Sequence, residues 1–126
     1  MRLLRSLLWI DCSAGLLSGA LTLAFSGWLS RLYALPVDLL IVMGVANVAY
    51  GTFSFSLARR GFRPRALIVL LVVANALWAG LCGLTAIIVA ANASKFGLAH
   101  LLVESLLVGG LARLEWRNRE LLLVAA

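Results

Sequence analysis

Five residues in this chain carry chemistry at places where an apolar segment gives it weight: Asp11, Asn47, Asn75, His100 and Glu104. Glu104 comes first. It lies within FGLAHLLVESLLVGGLARLEWRNR, residues 96–119, a run apolar enough to cross a membrane and closed by Arg113, Arg117 and Arg119. An acid at bilayer mid-depth costs about 2.5–3.5 kcal/mol on insertion scales, so a span keeps one that is paired, neutralised or turned to water. His100 precedes it by four residues, the spacing that lets two side chains meet on one helical face. Such a pair can titrate protons or contact a cation. The competing reading is structural: a protonated Glu104 bonded to Asn75, Asn47 or His100 locks the bundle. Asn47 and Asn75 suit interhelical hydrogen bonds of about 0.6 kcal/mol each. Asp11, nearer an arginine-rich end, is expected to lean toward Arg5 or water.

Other chemistries are poorly supplied. A single histidine cannot build bis-histidine haem ligation or a three-histidine zinc site. No nucleophilic motif surrounds it, and there is no glycine-rich phosphate loop and no CxxC pair. The expectation is a non-enzymatic chain without metal or cofactor. Cys12 and Cys82 sit about 15 Å apart along the bilayer normal, counted by helical rise, and are expected to pack as free thiols.

The elements that must position these residues follow from composition. The 126 residues are 63% hydrophobic and 13% charged, with mean hydropathy +1.06. Soluble domains are about 45–50% apolar and about 25% charged, so the outer surface here is suited to lipid. Spans of about 20 residues divide the chain into four, at residues 7–30, 37–58, 66–91 and 97–116. The fold class expected is an all-α membrane bundle, up-down-up-down, forming a single transmembrane domain. The opening MRLLRS resembles the basic region of a signal peptide, but Asp11 interrupts the apolar run and hydrophobicity continues past Phe25.

Each span carries a seam of small and polar residues at helical spacing. In the first it is Asp11, Gly15, Ser18 and Thr22, with Gly15 and Gly19 forming a GxxxG pair. In the second it is Gly44, Asn47, Gly51, Ser54 and Ala58, and in the third Asn75, Trp78, Cys82 and Thr85. Pro36 and Pro64 mark helix starts, and Asp38 faces the positive end of its helix dipole. Trp78 is placed for the bundle interior; Trp9, Trp28 and Trp116 are placed near interfaces. Glu115 and Glu120, among Arg113, Arg117 and Arg119, are expected on the surface. The tail RELLLVAA either prolongs the last helix or lies on the membrane.

The basic residues fix an expected orientation. Arg2, Arg5, Arg59, Arg60, Arg63, Arg65, Arg113, Arg117 and Arg119 fall on one side, against Arg31 and Lys95 on the other. The positive-inside rule then makes both termini cytoplasmic, in a bacterial inner membrane. The net charge of +6 is accounted for by span ends and anionic lipid rather than nucleic acid. Counting rise inward from the arginines puts Asp11 about 9 Å deep, Glu104 about 14, Asn75 about 15, Asn47 about 18 and His100 about 20. One inward-facing polar band is expected. A faint repeat at an offset of 64 superposes Asp11 on Asn75 and Gly19 on Gly83. Two functional classes follow: a transport or permeation protein using the polar seam, or an accessory subunit of a larger membrane complex. Beside the bilayer, the partners expected are a second copy of the chain or another membrane protein.

Overall fold

The computed structural model describes residues 6–123. Helices α1 (Leu7–Ala24), α2 (Ser26–Tyr33), α3 (Val37–Ala58), α4 (Arg65–Val89) and α5 (Lys95–Arg117) precede a 3-10 turn at Leu121–Leu123. Four of them, α1, α3, α4 and α5, are long and apolar enough to cross a membrane. The protein is thus an all-α four-helix bundle. Pro36 and Pro64 take extended backbone (φ −60, ψ 139 and φ −59, ψ 140) and the helices begin one residue later.

The first span is shorter than its hydrophobicity suggests. Phe25 leaves helical geometry (φ −110, ψ 20) and the chain restarts as α2, whose Ser26, Gly27 and Ser30 are weaker helix formers than the leucines before them. Ala34 closes α2 in the left-handed region, φ 54. That position usually falls to glycine. The bonds from Ser30 Oγ to Leu35 O (2.5 Å) and from Leu35 N to Ser30 O (3.2 Å) hold the turn.

The helices pack as two pairs, α1 along α3 and α4 along α5, each joining spans adjacent in sequence. Glycine sets the first pair. A Cβ at Gly19 would lie 2.8 Å from both Gly44 O and Val48 N, and one at Gly51 would lie 2.8 Å from Leu16 N. At Gly15 it would meet Asn47 O at 3.2 Å and Gly51 Cα at 3.3 Å. Backbone therefore rests on backbone, and the seams of the first two spans are used within the chain. In α4 the buried line runs Asn75, Ala79, Cys82, Ala86. Thr85, expected there, instead donates to Leu81 O of its own helix.

The two pairs are tied to each other at both ends. At the arginine-rich end, Leu7, Leu8, Leu57, Ala58, Ile68, Leu71 and Leu122 form one apolar cluster. Arg63, counted above among the arginines of this side, is buried here. Its Nε donates to Leu57 O (2.7 Å), Nη1 to Leu122 O (2.9 Å) and Nη2 to Ala58 O (3.1 Å), while its backbone N–H donates to Leu123 O (2.7 Å). The reason is local: α3 ends with open carbonyls, and a guanidinium fork can satisfy several at once. The described part of the tail, residues 119–123, consequently does not extend α5; it folds back and buries Leu122, and residues 124–126 lie outside the described residues.

At the opposite end, Leu35, Leu40, Met43, Ala86 and Leu101 form a second cluster. Ser94 stitches the pairs together. Its N–H donates to Tyr33 O (2.8 Å), and its hydroxyl donates to Leu32 O (2.7 Å) while capping α5 by accepting from Gly97 N (3.2 Å). Gly97 is required at this contact, since a Cβ would lie 2.7 Å from Tyr33 O.

Candidate functional site

Between the tied ends the two pairs part, and a cavity of about 490 Å³ opens among all four long helices. Asp11, Asn47, Asn75, His100 and Glu104 all line it, together with Tyr50 and Trp78. Apart from Ser18, the rest of its wall is apolar. Among its lining residues, Ile10 of α1 and Val103 and Leu107 of α5 are exposed on the outside of the bundle. A second hollow of about 540 Å³ shares Ala14, Ser18 and His100 with the first and follows α1 to Phe25, Trp28 and Tyr33.

The five residues do not form one band. They separate into two clusters, both reaching the cavity wall. In the first, Glu104 Oε1 accepts from Asn47 Nδ2 (2.9 Å) and Trp78 Nε1 (3.1 Å), and Oε2 lies 3.2 Å from His100 Nε2. His100 Nδ1 lies 3.0 Å from the Tyr33 hydroxyl. With Nδ1 accepting from Tyr33, the imidazole must present Nε2–H to Glu104, so every donor in the chain points at the carboxylate. Reversing the chain gives Glu104 O–H to Nε2 and Nδ1–H to the tyrosine oxygen. Tyr33 lies outside the spans. Burial, followed by the nearby Glu104 charge, raises its phenol pKa above the ordinary value, which keeps it a donor.

The second cluster holds Asp11 and Asn75. Asp11 Oδ2 accepts from Tyr50 Oη (2.5 Å) and Asn75 Nδ2 (3.1 Å), and Asn75 Nδ2 also donates to Glu115 Oε1 (2.7 Å). Asp11 thus turns inward and is 3% exposed; the expected partner Arg5 lies outside the described residues. Asn75 serves this cluster rather than Glu104. Its pairing with Asp11 joins the two positions that the offset of 64 superposes.

Glu115 overturns its expected place in a surface cluster, for it is fully buried. The signal was present: eleven residues after Glu104 is three helical turns, within about 20° of the same face. The neighbouring arginines hid it. Glu120 does stay outside, paired with Arg65 at 2.8 Å. Tyr50 was also missed, although it follows Asn47 by three residues on the α3 seam. Trp78 packs in the interior as expected, but its indole N–H is spent on Glu104 rather than on packing alone.

Among the described residues, no three His, Cys, Asp or Glu side chains come together as a metal set. Cys12 and Cys82 are both buried and unbridged. Fold and site together define an integral membrane protein of four spans with a largely apolar cavity, carrying a few polar groups, between two helix pairs. No protein-family model, curated protein or solved structure matches the chain.

Proposed function

We propose that this is a small transport or permeation protein that binds a small cationic or amphipathic solute in the cavity between its helix pairs, against Glu104. The observation that carries this reading is the cavity itself: an acid at span mid-depth opens onto a hollow of about 490 Å³ instead of being packed over. A carboxyl serving only to lock helices needs no such space, and close packing is what interiors otherwise adopt. Intramembrane acids facing a cavity mark ion and substrate pathways. Apolar walls with a few convergent polar groups are the usual form of a small-molecule site. The architecture suits movement, because two internally tight pairs can rock about a site held between them.

In this reading the arginine-rich end faces the cytoplasm, by the positive-inside bias, and the second hollow leads from the cavity toward the opposite interface. The glycines of α1 and α3 pack within one chain, so a second copy would have to meet another face. The proposed pathway needs one copy only.

The test is flux in proteoliposomes, with protons, methylammonium and tetraphenylphosphonium as probes, for the parent and Glu104→Gln. The variant keeps shape and hydrogen-bonding capacity and should assemble normally while losing flux. A parent that moves none of the probes, and whose Trp78 fluorescence responds to none, would remove the transport reading and favour an accessory subunit.

A further inference from the structure

The second cluster has an unbalanced hydrogen-bond count. Its acceptors are the four carboxyl oxygens of Asp11 and Glu115. Its donors are the Tyr50 hydroxyl and the two N–H groups of Asn75, and all three are spent: two on Asp11 Oδ2 and one on Glu115 Oε1. Glu115 Oε2 is fully buried and has no partner. Buried polar atoms without partners are rare, and each needs an explanation.

Among the described residues, the groups around the pair supply no positive charge. From α1 the cluster receives Asp11, from α3 Tyr50, from α4 Asn75 and from α5 Glu115. Arg63 spends its side chain on three backbone carbonyls, Arg65 pairs with Glu120 at the surface, and His100 belongs to the Glu104 cluster. Arg113 and Arg117 are exposed. Among the described residues, then, two buried carboxyls meet on one amide nitrogen with no cation bonded to either. Two such charges cannot both persist in a low-dielectric site.

We infer that Asp11 and Glu115 form a proton-binding site, holding one proton between them on Glu115 Oε2. The placement follows from the donors. Asp11 already accepts two hydrogen bonds on one oxygen and is the better anion. Glu115 Oε2 has none, and an O–H there becomes the missing donor. The pair then carries a single negative charge. Asp11 lines the cavity and Glu115 lies behind it, so the stored proton borders the space assigned to the solute. A univalent cation entering against Asp11 would release that proton to water through the cavity, exchanging one positive charge for another and leaving the site's net charge unchanged. This goes beyond the transport reading and does not depend on it, because the site can be measured with no solute present.

The experiment is infrared spectroscopy of the full chain in lipid vesicles at neutral pH, following the C=O stretch of protonated carboxylic acids. The parent should show a band that persists in Glu104→Gln and Glu120→Gln and is lost in Glu115→Gln. Glutamine supplies an N–H where the proton stood, so that variant should fold as the parent does. No such band in the parent would overturn the inference, and so would a band lost in Glu104→Gln or unchanged in a folded Glu115→Gln. If Glu115→Gln does not fold, survival of the band in the other two variants still excludes Glu104 and Glu120. Its loss in either one sinks the proposal.

Discussion

Arg63, in the loop after α3, and Arg65, the first residue of α4, stand two residues apart, and their removal should have very different costs. Arg63 is 2% exposed and places three side-chain donors on Leu57 O, Ala58 O and Leu122 O. Arg65 holds Glu120 at 2.8 Å, but both side chains are more than half exposed. A hydrogen bond to a charged group contributes about 1.5–3 kcal/mol. Burying the guanidinium takes back several kcal/mol of that, and water can reach some of the α3 carbonyls once the side chain is gone. The balance for Arg63→Met is a loss of about 2–4 kcal/mol. An exposed ion pair is worth about 0–1 kcal/mol, so Arg65→Ala should sit near the parent. Unfolding in mixed micelles, followed by circular dichroism at low and high salt, separates the two. The Arg65 effect should fade as salt screens it, whereas the Arg63 effect should not. Arg63→Lys should recover only part of the loss, since an ammonium cannot reproduce the planar fork. Equal stabilities for Arg63→Met and Arg65→Ala would refute the assignment of Arg63 as the clasp between the pairs.

Glycine predictions separate packing from propensity: Gly19→Ala puts a Cβ at 2.8 Å from α3 backbone and should cost about 1–3 kcal/mol, whereas Gly80→Ala meets nothing within 4 Å and should be neutral or slightly stabilising in the same unfolding assay. Cysteine labelling from outside intact cells, in a background without Cys12 and Cys82, should reach a probe in the Asn92–Lys95 turn and miss one at Gly61; the reverse pattern would invert the orientation. Tyr33 gives a pH prediction. Its raised phenol pKa means the folded state holds the proton more tightly, so stability should fall as pH rises past the ordinary value of about 10. Tyr33→Phe should lose less stability over that range, and parallel curves would contradict the assignment.

The span count and the seam of α3 were legible because lipid imposes a coarse rule, with about 20 apolar residues per crossing and small residues where helices touch. Gly44, Asn47, Gly51, Ser54 and Ala58 are all buried, as their spacing requires. The break at Phe25 was not legible, since hydrophobicity runs through it and only local backbone geometry stops the helix. The division of the polar residues into two clusters was equally hidden. Depth counting treats helices as parallel rods and cannot say which helix pairs with which. Asn75 and Asn47 lie at similar estimated depths, yet each serves a different acid. Glu115 was misplaced, and the burial of Arg63 went unforeseen, for one shared reason: near a span end, composition cannot distinguish a charge turned to water from one folded back over the core.

The Arg63 clasp also sets an order on how the protein can be made. Leu122 lies 59 residues after Arg63 along the chain, so during synthesis the guanidinium is present long before one of its three acceptors exists. The first two spans can insert and pack on their glycines while Arg63 is still hydrated or among headgroups. The closing contact waits until α4 and α5 have crossed and the 3-10 turn has been made. A chain ending at Asn118 would contain all four spans but lack Leu122, the last acceptor of this guanidinium. Membrane insertion and closure of the bundle are therefore separate events, and the second is timed by a three-residue turn.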